Sequence, residues 1–213
     1  MKKTFLFIII FPFLLFSEVS KDVIFDTGKS LLLPGYGFFG LDKKVNSIPF
    51  ILSETILLPF FTYLTFDANR KGDDALNFAS YILSKNVSEY PENLLTKMEF
   101  YTSYRDYNIK VISKARSLYP DDYEKQLDYI NKNIVPDSLG WEFSSDSARV
   151  YYSDLRKSSR ELKQFSYYTL IAISINHIVS GIYTYFVSKE IRNIDFDTQL
   201  DSKGIKFNVG VKF

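Results

Sequence analysis

Between Phe165 and Val187 the chain reads FSYYTLIAISINHIVSGIYTYFV, 23 residues without a Lys, Arg, Asp or Glu. Wound as a helix, the part from Tyr167 onward spans about 31 Å, close to the hydrocarbon thickness of a bilayer. Aromatic side chains gather at both ends, with Phe165, Tyr167 and Tyr168 at one and Tyr183, Tyr185 and Phe186 at the other. Interfacial belts are arranged in this way. Ala172, Asn176, Ser180 and Thr184 recur at every fourth position, a row of small or polar residues that lets a second helix approach closely. Asn176 and His177 sit at the centre, where polar groups need partners. A segment of this kind is either a membrane helix or the core helix of a soluble bundle, and both readings stay open.

A second apolar stretch, Ile48 to Phe66, carries one charge, Glu54, and two prolines, Pro49 and Pro59. Pro49 suits a helix start, whereas Pro59 predicts a kink or break. If the two stretches run antiparallel, Glu54 comes within reach of His177 and the two form a buried polar pair. The alternative is that His177 is an ordinary hydrogen-bonded core residue. A single histidine in a chain without cysteine is not a metal site.

The N-terminus has Lys2 and Lys3, an apolar run from Phe5 to Phe16, then Ser17 and polar chain. This is the anatomy of a secretory signal peptide over residues 1–17. The competing reading, an uncleaved anchor, has a short apolar run interrupted by proline. With no cysteine there is no thiol for acylation and no disulfide framework.

Ser30-Leu-Leu-Leu-Pro34-Gly35-Tyr-Gly37 follows, a turn signal with leucines before it and aromatics after it. It reads as a buried corner between helices or as an apolar wedge at a membrane surface. Its glycines lack the spacing of a phosphate loop. Together with Trp141, Tyr152, Arg156, Ser159, Asn176, His177 and Ser180, the element Ser30, Pro34, Gly35 and Gly37 resembles a loosely defined set of bacterial envelope proteins. That family carries a Ser-x-x-x-Pro-Gly-x-Gly-Gln signature and a late Asn-His-x-x-Ser helix. The resemblance implies association with a bacterial membrane and no known activity. Phe38 stands where the signature has Gln, which removes any polar role there.

Residues 73–164 read as amphipathic helices rich in tyrosine. A polar loop from Asp67 to Asp74 is expected to separate the first of these, Ala75 to Lys85, from the apolar stretch. A single long helix is expected from Glu92 to Leu118, then Asp121 to Asn133. A last helix opens at Ser144 or Ser145 and runs on into the apolar segment. No 34-residue repeat is found. Arg149, Ser153, Arg156 and Arg160 share one helical face. It reads either as a solvated face or as a basic rim for lipid headgroups, with Arg149, Arg156 and Arg160 as the contacts. The tail alternates apolar and polar residues in two runs around Asp201-Ser-Lys-Gly204, the pattern of a β-hairpin over 191–213.

The 26 basic residues are interleaved with 25 acidic ones, for a net charge of +1, so nucleic-acid binding is not expected. Without its two leader lysines the chain has 24 against 25, or −1. No nucleophile elbow is present, and paired aspartates sit at helix starts where capping explains them. The expected fold is mainly α, a helical bundle with two apolar, membrane-like helices and a C-terminal β-hairpin. Residues 18–190 form its membrane-associated helical domain. The expected protein is exported, non-enzymatic and without cofactor. It is associated with membrane lipid in the bacterial envelope, on the outer membrane or periplasmic face with the inner membrane as the alternative, and with other envelope proteins or itself as partners. The competing reading is a soluble periplasmic helical module, similar to tetratricopeptide proteins, that binds a peptide or protein in a groove.

Overall fold

The computed structural model describes residues 20–192 and, as backbone, 194–201 and 204–211. The expected signal peptide lies outside the described residues. Helix α1 spans Lys21–Leu32, and Ser20 caps it by accepting from the Val23 N–H. A 3-10 turn, Tyr36–Leu41, leads into α2, Lys44–Leu83. Then come α3, Glu92–Phe100, α4, Tyr104–Leu118, α5, Tyr123–Asn133, and α6, Asp146–Arg192. The chain is therefore mainly helical. Past α6 the backbone of β1, Ile194–Asp201, pairs antiparallel with β2, Gly204–Val211, Ile194 lying opposite Val211.

Two expected boundaries are corrected. The loop from Asp67 to Asp74 does not form, and α2 continues through it as it does through Pro49 and Pro59. Local polarity suggested a loop, but tertiary packing overrides it. Ala68 and Ala75 are fully buried, and the Ser159 hydroxyl donates to the Ala68 carbonyl at 2.7 Å. Asp67 and Arg70 pair along the same helix.

The second correction divides the expected Glu92–Leu118 helix into α3 and α4. Residues 101–103 are extended between them, because their backbone is used by the segment before α6. The Phe143 N–H donates to the Thr102 carbonyl at 2.9 Å, and the Tyr104 N–H to the Trp141 carbonyl at 3.0 Å. Ser103 then caps α4 by accepting from the Asp106 N–H, a serine signal that periodicity alone passes over.

Packing divides the chain into two units. The first takes residues up to Phe61 and from Tyr168 onward, and the second is Thr62–Tyr167. Helices α2 and α6 contribute a stretch to each. The second unit has an ordinary apolar core of Val87, Leu94, Leu95, Met98, Trp141, Phe143 and Tyr152, with Ala75 and Ala79 from α2. Small residues at those helix positions let the larger side chains close over them.

Candidate functional site

The first unit is built the other way round. Its interior is a ladder of polar contacts along α6, beginning from the row of every fourth residue. Ser180, Thr184 and Ser188 are each completely buried. Ser188 donates to Asp26 Oδ2 at 3.3 Å, and the Thr184 hydroxyl donates to Ser30 Oγ at 2.7 Å. Ser180 Oγ accepts the Gly35 N–H at 2.7 Å. Asn176 donates its side-chain amide to the Phe50 carbonyl at 3.1 Å and to Glu54 Oε2 at 3.0 Å. Ala172, the remaining member, is half-buried. Each of these hydroxyls has one hydrogen to give and lone pairs to accept with, so short side chains suffice to satisfy the ladder, while Thr27 Oγ1 on α1 is buried with no partner among the described residues.

The Ser30, Pro34, Gly35 and Gly37 element is the piece that docks on this ladder. Ser30 is buried and accepts the Gly37 N–H at 2.9 Å. Gly35 has φ +86°, a left-handed conformation that a side chain disfavours. A Cβ on Gly37 would lie 2.2 Å from the Asp26 carbonyl oxygen, so the turn can sit here only without one. Gly181 on α6 is also closely approached, since a Cβ there would meet the Leu31 side chain at 2.4 Å, but that neighbour is an exposed side chain that can swing aside rather than backbone. Phe38, in place of a polar residue, is buried against Phe50 and Tyr183, with ring centroids 6.0 and 5.3 Å away. The element is thus a buried corner on its small-residue side. Leu32, Leu33, Tyr36 and Phe39 beside it are exposed, Leu32 to 78 %.

Glu54 and His177 come together: Nε2 of the ring lies 3.2 Å from Oε1 of the carboxyl. The ring's Nδ1 lies 2.8 Å from the Leu31 carbonyl. Both side chains are half-buried rather than buried, since Glu54 also lines an open cleft of ≈ 380 Å³ with Leu33, Pro34, Tyr36, Ile51 and Leu58. Outside the polar ladder the helices present apolar side chains to the surroundings. Exposed positions include Ile48, Leu52 and Ile56 on α2 and Ile171, Ile175, Val179 and Ile182 on α6. Both helices contain an 18-residue window of mean hydropathy 1.5, of which only 6 % is buried in α2 and 22 % in α6.

The arginines are a correction to both readings of their face. In the second unit Arg149 and Arg156 turn inward on Glu99, whose side chain is 2 % exposed, and Arg160 reaches the same carboxylate while staying half exposed. Arg160 takes it with two nitrogens, at 2.6 and 2.7 Å, and Arg156 Nε reaches it at 3.1 Å while also pairing with Glu92. Arg149 donates to the Glu99 backbone carbonyl and to Asp146. A buried carboxylate without countercharge is strongly unfavourable, and this need fixes the guanidinium groups. Burial acts against the Arg156 charge, but its hydrogen bonds to Glu92 and Glu99 outweigh that and hold its proton more tightly than usual. Arg160 is shifted the same way, first by its hydrogen bond to Glu99. Beside them Tyr152, fully buried, donates to the Leu95 carbonyl at 3.2 Å. Burial pushes its ionisation well above the ordinary tyrosine range.

Asp26, Ser188, Gly181, Glu92 and Glu99 are the contacts that sequence reasoning did not single out. Ser188 continues the spacing of the row and lies one residue past the apolar run. Among the described residues, no three His, Asp or Glu side chains gather as a metal site would require. No protein-family model, curated protein or solved structure matches the chain.

Proposed function

We propose that this is a non-enzymatic, membrane-associated protein of the bacterial cell envelope, with a structural or interaction role. The observation that carries the reading is the inverted polarity of the first unit. Serine, threonine, asparagine and aspartate fill its interior while leucine, isoleucine and phenylalanine cover its outside. In water that arrangement wastes apolar surface, whereas in hydrocarbon it keeps the buried hydroxyls and Asp26 away from the lipid. The apolar windows of α2 and α6 would lie in the bilayer, with the Pro34-Gly35 turn and its exposed leucines and aromatics entering the interface. The tyrosine-rich second unit has the apolar core and charged exterior of a water-facing domain and would engage other envelope proteins or further copies of the chain. The envelope-family resemblance implies membrane association as well, and the placement we infer is the outer membrane or periplasmic face of an exported protein, with the inner membrane as the alternative. The C-terminal hairpin would lie on the helices or on the membrane surface.

Fractionation of the native envelope, followed by carbonate and urea washes of the separated membranes, tests this reading. Retention in the pellet through both washes is the expected result, and the pellet that holds the protein names the membrane. Release into the wash would sink the proposal and leave a soluble module with an apolar groove.

A further inference from the structure

His177 is the only histidine in the chain, and it is held between two acceptors. Its Nδ1 faces the Leu31 carbonyl at 2.8 Å and its Nε2 faces Glu54 Oε1 at 3.2 Å. A carbonyl has no hydrogen to give, so Nδ1 must be the donor. A neutral imidazole has a single N–H, and spending it on Leu31 leaves an Nε2 lone pair aimed at a carboxyl oxygen. Two acceptors at that distance repel unless a hydrogen lies between them.

No neighbour supplies that hydrogen. Asn176 spends both amide hydrogens, on Glu54 Oε2 and on the Phe50 carbonyl. On α1, Asp26 and Lys29 pair with each other at 3.5 Å, and Asp26 also takes the Ser188 hydroxyl. The 3-10 turn Tyr36–Leu41 has no charged residue, and Asp42 after it is exposed. On α2, Glu54 is the charged group between Ile48 and Phe66, and α6 has none from Phe165 to Val187. Among the described residues, Glu54 is the charged side chain within 4.0 Å of the ring.

We propose that Glu54 and His177 bind one proton between them, and that this proton closes a latch joining α1, α2 and α6. The hydrogen sits either on Nε2, giving imidazolium against carboxylate, or on Oε1, giving a neutral acid against a neutral ring. Both forms have zero net charge and the same proton count. Removing that hydrogen sets the carboxylate against the ring lone pair and opens the α2–α6 side of the latch, while Nδ1–H stays on the Leu31 carbonyl at the end of α1. The inference follows from hydrogen-bond counting and does not rest on the membrane reading.

Because the chain has one histidine, ¹⁵N-histidine labelling of the full-length protein in micelles reports this ring alone. The test combines ring ¹⁵N spectra at neutral pH with infrared difference spectra between the wild type and Glu54→Gln. The Gln amide can donate to Nε2 and accept from Asn176, so this variant should hold a neutral ring with its hydrogen on Nδ1. The expected wild-type result takes one of two forms. Either both ring nitrogens are protonated, or the ring is neutral with Nδ1–H and a protonated-carboxyl band is present that Glu54→Gln lacks. A neutral wild-type ring with no such band would overturn the proposal, as would a ring carrying its only hydrogen on Nε2. If Glu54→Gln does not fold, His177→Gln supplies the infrared difference, and the wild-type ring spectrum stands by itself.

Discussion

The two units invert each other's chemistry. Among the described residues, the first buries eight polar side chains (Asp26, Thr27, Ser30, Ser47, Thr169, Ser180, Thr184 and Ser188) against four large apolar ones, Val23, Phe38, Leu41 and Ile173. The second buries five polar side chains, Glu99, Ser103, Arg156, Ser159 and Ser166, against fifteen apolar ones from Leu64 to Leu155. Hydrophobic burial organises the second unit, and its few buried charges are concentrated around Glu99. In the first, hydroxyls, a carboxylate and glycine-permitted backbone contacts organise the interior, and the apolar side chains are left to whatever surrounds the protein. One chain, with α2 and α6 running through both units, thus follows two solvation rules. The boundary between them falls within two continuous helices rather than at a loop.

If that contrast is right, the largest effect comes from breaking the charge cluster of the second unit. Glu99→Ala leaves the buried Arg156 with the exposed Glu92 as its remaining carboxylate and removes that of Arg160, which is itself half exposed and so counts for less. Loss of one member of a buried pair costs about 3–5 kcal/mol. Trp141 is the chain's only tryptophan and lies in this core, so its fluorescence during urea unfolding reads that loss directly. A midpoint unchanged from wild type would mean that the arginines find water instead.

Next in size is a matched pair of glycines in the first unit. Gly37→Ala drives a methyl group into the Asp26 carbonyl and the Ser30 hydroxyl and should cost about 1–3 kcal/mol through overpacking. Gly28, in α1, has nothing within 4 Å of its virtual Cβ, so Gly28→Ala should stabilise by about 0.5–1 kcal/mol through helix propensity. Thermal unfolding in micelles, followed by circular dichroism, should move in opposite directions for the two. Equal responses would say that the turn does not dock on α6 as described.

The smallest effect is alkaline. Because burial raises the Tyr152 ionisation above its ordinary value of 10.0, the folded state favours the neutral phenol. That contribution is complete below the unfolded value and is lost as pH rises past 10.0, by at most about 1.4 kcal/mol per pH unit. Tyr152→Phe should lose about 0.5–1.5 kcal/mol at neutral pH with its bond to Leu95. Its stability should then fall less steeply than that of the wild type in alkaline urea titrations.

Several of these features could be read before any coordinates. The row of Ala172, Asn176, Ser180 and Thr184 follows from helical spacing alone, and so does the reach of Glu54 to His177 if the stretches run antiparallel. The turn at Pro34-Gly35 was legible because glycine and proline limit the backbone locally. The continuity of α2 through Asp67–Asp74 was not, since the burial of Ala68 and Ala75 depends on residues far along the chain, Ser159 among them. The inward turn of the arginines was hidden for the same reason. Glu99 sits on a different helix and carries no local signature of burial.

The absence of cysteine allows the central contrast to be tested at single positions in native membranes. Leu52→Cys, Ile56→Cys, Ile175→Cys and Ile182→Cys place thiols on the apolar exterior of the first unit, and Tyr123→Cys and Lys157→Cys place them on the exposed surface of the second. A membrane-impermeant maleimide, applied to opened envelopes, should label the second pair readily and the first four only after detergent is added. Equal labelling of all six without detergent would place the apolar surface of the first unit in water and contradict the account.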